Sequence, residues 1–195
     1  MAALDAITGA LPEVAKDVRL NLQTVLKAES LTPAQRWGSA IAAAATTRDP
    51  VLLEAILTDA AAEVPAAVAE DALAAAALYA MNNVYYRFRH IIGNPTYTTK
   101  PARLRMNRLA QVATTKADFE LFAVVVSAIN NCEACLQSHE KVVLGHGLSE
   151  DQVHDAVRIG AVVQSAAVAR SFAPLAAAVR ARAEAEAAAA ASTGS

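Results

Sequence analysis

Two thiols, an imidazole and a carboxylate stand in the pattern E-x11-C-x2-C-x3-H between Glu120 and His139, and Cys132 and Cys135 are the only cysteines of the chain. On a helix of about 3.6 residues per turn, positions 132, 135 and 139 fall on one stripe, which brings both thiols and the imidazole within reach of each other. Two sulfurs at that spacing close readily into a disulfide. The second thiol can capture a sulfenic acid formed on the first before it oxidises further. The chemistry of the pattern is redox in outline.

Asn130 and Asn131 precede the pair, and either is a good N-cap. On that reading Cys132 lies in the first turn of the following helix and Cys135 one turn further in. Cysteines at helix N-termini or in C-x-x-C pairs favour the thiolate, the species that attacks peroxides and disulfides. Glu120 opens a helix whose interior is Leu121, Phe122, Ala123, Val124, Val125 and Val126, so its carboxylate can be carried beside the core. Burial there would raise its pKa and suit it to proton transfer. A solvated first-turn acid that only complements the helix dipole, the role expected of Asp118, fits the spacing equally well.

Other chemistries fit less of the pattern. Two buried cysteines acting as small hydrophobes would leave His139, Glu133, Gln137 and Ser138 unexplained. A zinc-binding structural protein is the sharper alternative, with Cys132, Cys135 and His139 as ligands and Glu120, His146 or His154 as a fourth, although only one paired-ligand knuckle is present. Covalent haem attachment needs a histidine directly after the second cysteine, where Leu136 stands, and a thioredoxin-like domain needs a βαβ context. His90, His146 and His154 lie beside helix ends or polar neighbours and read as surface residues. Tyr79, Met81, Tyr85, Tyr86 and Phe88 form an aromatic-rich cluster explained by core packing or a subunit interface.

The elements that must position these groups read as all-α. Alanine dominates, aromatics are 5% of the 195 residues, and no segment alternates with the period of a strand. Helix starts are marked by Thr32-Pro33-Ala34-Gln35, Asp49-Pro50, Thr115 with Asp118, and Ser149 with Gln152. Gly93-Asn94-Pro95 and the Gly145 to Gly147 segment mark stops. The spacing predicts helices near 12–29, 33–47, 50–62, 66–91, 101–111, 116–130, 132–145 and 150–173. Residues 1–175 read as one helical-bundle domain, and 176–195 as an Ala-rich tail without an apolar face, expected to fray. Ala80-Met81-Asn82-Asn83 and Ala128-Ile129-Asn130-Asn131 match after similar apolar stretches, which suggests a duplicated helical hairpin. In the first copy the cysteine positions are Val84 and Arg87.

Composition excludes several partners. A formal net charge of −2, with no basic block, gives no attraction to nucleic acid or anionic lipid. The N-terminus lacks a basic n-region and the apolar run Ala72–Ala80 is too short to cross a bilayer, so no signal peptide and no membrane span are expected. The default compartment is the cytoplasm, where a close cysteine pair is catalytic or metal-binding more often than structural. A disulfide-relay adaptor acting on a protein substrate uses the same dithiol as an enzyme. A cofactor-free decarboxylase or other lyase gives no reason for C-x-x-C.

With SAINNCEACLQSHE around it, the E-x11-C-x2-C-x3-H pattern resembles the AhpD-type alkylhydroperoxidases of the carboxymuconolactone decarboxylase superfamily. LPEVAKDVRLNLQ near the start, AMNNVYYRFR in the middle and RLRMN before the site resemble the same family, so the likeness covers most of residues 10–173. The resemblance implies an all-helical bundle assembled as a homotrimer that reduces organic hydroperoxides without haem, flavin or any other bound cofactor. It implies that Cys135 is the peroxide-attacking thiolate, that Cys132 is the resolving thiol, and that Glu120 and His139 form a proton relay. It further implies reduction of the disulfide by an external dithiol, the dihydrolipoyl group of a 2-oxoacid dehydrogenase acyltransferase, and a link to an AhpC-type peroxiredoxin. One departure stands out: the best-known family member has a histidine just before the second cysteine, where this chain has Ala134. A simpler relay is expected from that change.

Overall fold

The computed structural model describes residues 1–193, with side chains to 191. Among these residues there are nine α-helices and no strand: α1 (Ala2–Gly9), α2 (Lys16–Val25), α3 (Pro33–Thr47), α4 (Pro50–Ala60), α5 (Ala66–Ile92), α6 (Pro95–Thr99), α7 (Lys116–Ile129), α8 (Glu133–Gly145) and α9 (Glu150–Thr193). The all-α expectation holds, and the marked starts form as read. Thr32 and Gln35 close a reciprocal capping box, Asp49 accepts from the amides of Val51 and Leu52, and Thr115 accepts from Asp118 N–H.

Helices α3 and α7 form the centre. The Ala40–Ala44 stretch of α3 is fully buried, as are Phe119, Leu121, Phe122, Ala123 and Val125 of α7. Small side chains let helix axes approach closely, and this explains the alanine content of the chain: α3 packs on α5, α7 and α9 at once. Gly38 marks the tightest approach, because a Cβ there would sit 2.1 Å from Cζ of Phe122.

Five segments depart from the sequence reading, among them the short α6, which was not expected. Helix α1 was not expected; its first amides, those of Ala3 and Leu4, donate to the carboxylate of Asp59 on α4 at 3.2 and 2.8 Å, a cap supplied from a distant helix. The helix expected over 12–29 is shorter, with a 3-10 turn at Glu13–Ala15 before α2. The helix expected over 101–111 is absent: this stretch is irregular apart from a 3-10 turn at Asn107–Ala110. Its Arg108 donates to the buried Asp71 of α5, which also accepts from the amides of Ala113 and Thr114 and from the Thr114 hydroxyl just beyond it. Burial pushes the Asp71 carboxyl up, but these four donors outweigh it and hold it below its ordinary value. Helix α9 does not stop at 173. It runs through Pro174 to Thr193, with exposed Arg180–Glu184 and Arg182–Glu186 pairs along its outer part.

By length and composition α9 contains a stretch apolar enough to cross a membrane. Its Ala156, Ile159, Val163 and Ala166 are buried in the bundle, packed with α3 and α7, although only 22% of the apolar window is buried. The repeated motif also differs in setting. Asn82 and Asn83 lie in the middle of the unbroken α5, whereas Asn130 and Asn131 end α7, so the turn that follows the second copy has no counterpart in the first.

Candidate functional site

The turn between α7 and α8 sets the site. Asn130 is the C-cap of α7 and Asn131 takes a left-handed conformation at φ 59°, which an asparagine tolerates better than most residues. Neither asparagine is the N-cap of α8. Cys132 itself occupies that position, the first helical residue is Glu133, and Cys135 is therefore in the first turn. The cause is tertiary: buried Asn83 of α5 donates to Ser127 at 2.9 Å and accepts from the Asn130 amide at 3.0 Å, while Arg87 donates to the Asn130 carbonyl at 2.6 Å. With its side chain held by α5, Asn130 is unavailable as a cap.

Cys132 and Cys135 are joined as a disulfide, with Cα atoms 5.2 Å apart. Cys132 is fully enclosed, and Cys135, 7% exposed, is the one that reaches a cavity of about 310 Å³. Glu120, His139, Tyr79, Asn82 and Ala134 share that cavity with Cys135, and Leu109 from the segment tied down by Asp71 forms part of its wall. All four sequence candidates thus converge: Cys132, Cys135, His139 and Glu120.

His139 Nδ1 lies 2.6 Å from Glu120 Oε2, and Lys116 Nζ lies 2.6 Å from the other carboxylate oxygen, Oε1. The carboxylate is 5% exposed and bonded on both oxygens. Its titration runs opposite to the expectation from burial alone. Desolvation pushes the Glu120 carboxyl up, but hydrogen bonds and charge from His139 and Lys116 prevail and hold it below its ordinary value. A carboxylate kept ionised in this way orients the imidazole. With Nδ1–H donated to Glu120, His139 presents Nε2 as the nitrogen free to exchange a proton.

Sequence reasoning missed four side chains of the site. Lys116 stands one helical turn before Glu120, an i,i+4 relationship that the numbering alone displays. Tyr79 is 2% exposed, and its ring meets the His139 imidazole edge-on at 4.5 Å between centroids. Burial and the nearby Glu120 charge push its phenol well above the ordinary value, so it stays protonated. Tyr79, Asn82 and Tyr86 follow an i, i+3, i+7 stripe on α5, and that stripe faces the cavity. His90 and His154 are exposed and do not line the cavity, as expected for surface residues, although His90 Nε2 lies 3.6 Å from a carboxylate oxygen of Glu133, the residue after Cys132. Among the described residues no three His, Cys, Asp or Glu side chains converge as a metal-holding group.

Residues 95–178 match the Carboxymuconolactone decarboxylase family. Over 178 residues the chain is 67% identical to the alkyl hydroperoxide reductase AhpD of Anaeromyxobacter dehalogenans (strain 2CP-C), covering 91% of this chain and 96% of that protein. It is 48% identical to the alkyl hydroperoxide reductase AhpD of Rhodopseudomonas palustris (strain BisB18), over 85% of this chain and 92% of that one. The protein of the same name from Bradyrhizobium sp. (strain ORS 278) is 43% identical over 92% of this chain and 99% of its own.

Proposed function

Because the chain belongs to the AhpD family, within the carboxymuconolactone decarboxylase superfamily, we propose that it is an alkyl hydroperoxide reductase that works through the Cys132–Cys135 pair. The observation that carries this reading is the placement of Cys135 in one cavity with the His139–Glu120 pair, while Cys132 sits enclosed behind it.

In the reduced protein, the Cys135 thiolate attacks the terminal oxygen of the hydroperoxide. An S–O bond forms, the O–O bond breaks, and the leaving alkoxide takes a proton from His139 Nε2 to give the alcohol. Cys135 is then a sulfenic acid. Cys132 attacks its sulfur, water leaves, and the disulfide forms. Glu120 orients the imidazole and stabilises its protonated form, and Lys116 fixes Glu120. An external dithiol restores the pair by two thiol–disulfide exchanges and leaves as its own disulfide. Its chemical class is a dihydrolipoyl group, carried by the acyltransferase of a 2-oxoacid dehydrogenase complex, and an AhpC-type peroxiredoxin is a further acceptor of these electrons. No bound cofactor takes part.

The protein works in the cytoplasm, where a dithiol can be kept reduced. It assembles as a homotrimer, for which the exposed stripe Val84, Phe88 and Ile91 on α5 supplies an apolar surface. The deciding experiment is hydroperoxide turnover by the purified protein with dihydrolipoamide and with dithiothreitol as reductants. Consumption of hydroperoxide with alcohol as product supports the assignment. Exchange with protein disulfides but no hydroperoxide consumption would make the protein a disulfide-relay adaptor.

A further inference from the structure

Tyr79 of α5 is 2% exposed and lines the cavity beside Cys135, His139 and Ala134. Its ring is fixed by aromatic neighbours on two other helices, His139 of α8 edge-on at 4.5 Å and Phe119 of α7 tilted at 6.3 Å between centroids. The hydroxyl is held by nothing comparable: among the described residues it has no hydrogen-bond partner in the protein. The unpartnered side-chain atoms that are wholly enclosed are Ser39 Oγ, Asn82 Oδ1, Arg108 Nε and Gln164 Oε1. The Tyr79 oxygen is not one of them, so the small surface this residue keeps includes its oxygen, and the open space beside it is the cavity it lines. A buried phenol usually finds a partner, and one that reaches a reactive cavity unpaired has its O–H free for whatever enters.

We infer that Tyr79 is a catalytic residue whose hydroxyl donates a hydrogen bond to the departing oxygen of the hydroperoxide while the Cys135 thiolate attacks the other. The inference rests on the hydroperoxide reductase reading and adds a second donor to it. In that step a sulfur lone pair forms the S–O bond to the terminal oxygen, which keeps its hydrogen in the sulfenic acid, and the O–O electron pair leaves with the other oxygen. Negative charge therefore develops on the departing oxygen, and a fixed donor is worth most where charge develops. The contact between the Tyr79 ring and the imidazole puts the phenol beside the group that protonates this same oxygen. The two donors then divide the work. Burial and the Glu120 charge hold the phenol proton in place, so Tyr79 gives a hydrogen bond and retains its proton, while His139 Nε2 transfers the proton that turns alkoxide into alcohol. With Ala134 offering the cavity no polar side chain, the phenol supplies stabilisation that residue 134 cannot.

The test is the rate at which reduced protein loses its thiols in a single turnover, in wild type and Tyr79→Phe, with two oxidants that differ in leaving group. tert-Butyl hydroperoxide releases a strongly basic alkoxide, which needs a donor, and peracetic acid releases a weakly basic carboxylate, which needs little help. Tyr79→Phe removes the hydroxyl and keeps the ring against His139. It should slow oxidation by tert-butyl hydroperoxide about tenfold, the effect of losing a hydrogen bond to a charged oxygen, and leave oxidation by peracetic acid within about twofold of wild type. A role confined to packing the imidazole would move both rates together. Tyr79→Leu carries the test if Tyr79→Phe does not fold, because the comparison is between two oxidants within one protein. A wild-type rate with tert-butyl hydroperoxide, or an equal loss with both oxidants, overturns the role of Tyr79 and leaves the reductase reading intact. A wild-type protein whose thiols are inert to tert-butyl hydroperoxide overturns the reductase reading, and the role of Tyr79 with it.

Discussion

The carboxylate of Glu120 and the imidazole of His139 meet at 2.6 Å across the interface of α7 and α8. Their contact links two helices whose relative position also decides where the disulfide lies. Because Lys116 occupies the second carboxylate oxygen, the pair is a three-membered chain, and the carboxylate cannot turn away from the imidazole without breaking two bonds.

Glu120→Gln and His139→Ala should each lower kcat/KM for cumene hydroperoxide by about 10²-fold or more, the usual contribution of a positioned acid–base group. Lys116→Met should act more weakly, since it removes only the group that holds Glu120. Loss of its charge raises the Glu120 pKa, so the acid limb of the pH–rate profile should move to higher pH in that variant. An unchanged profile would show that Lys116 has no part in the chain.

Stability should carry the same signature. The folded-state pKa of Glu120 lies below its ordinary 4.5, so the ionised carboxylate contributes stability above that pH and loses it as the pH falls. The stability difference between wild type and Glu120→Gln, from urea unfolding, should therefore hold steady at neutral pH and narrow as the pH falls below about 4.5. A gap that widens on acidification would contradict the ionised, doubly bonded state.

Much of the site was legible in the sequence because helical spacing is local. Positions 132, 135 and 139 share a stripe wherever the helix lies, and Glu120 could be added from its place at the head of α7. What stayed hidden depends on contacts between distant segments. The cap of α8 passed from the asparagines to Cys132 because Asn83, far back in α5, holds Asn130. The shift of Glu120 took the opposite sign from burial alone because hydrogen bonds and charge from His139 and Lys116 outweigh desolvation. Residues 101–111 had the composition of a helix, yet the stretch is irregular, with its Arg108 side chain tied to the buried Asp71 of distant α5. Lys116 was different: its relationship to Glu120 was local and could have been read.

The two thiols should behave differently toward dimedone. Cys132→Ser leaves Cys135 facing the cavity with no resolving partner, so a sulfenic acid should accumulate there on hydroperoxide treatment and be trapped. Cys135→Ser should abolish turnover and leave nothing to trap. Mass spectrometry that finds the adduct on Cys132 would reverse the roles.

In the core, Gly38→Ala should cost about 1–3 kcal/mol, because the added Cβ meets the Phe122 ring at 2.1 Å and a packed centre cannot easily give way. Thermal unfolding checks this. An unchanged Tm would mean that α3 and α7 are free to separate.

The last prediction concerns Ala134, which lies in the cavity wall next to Cys135. An imidazole at this position would enter the space where the hydroperoxide is cleaved and offer a second proton donor to the departing alkoxide. If delivery of that proton limits the rate, Ala134→His should raise kcat/KM with cumene hydroperoxide, and the gain should be largest below the pKa of the new imidazole. If His139 already delivers the proton without delay, Ala134→His should leave kcat/KM nearly unchanged while Glu120→Gln and His139→Ala remain severe. Rescue of His139→Ala by a second substitution, Ala134→His, distinguishes the two cases directly: recovery of about tenfold or more would show that the imidazole acts as the proton donor and not as packing around Tyr79. Absence of recovery in a double variant that still forms the Cys132–Cys135 disulfide would mean that the donor must be held by Glu120, and that an unanchored imidazole in the same cavity is not enough.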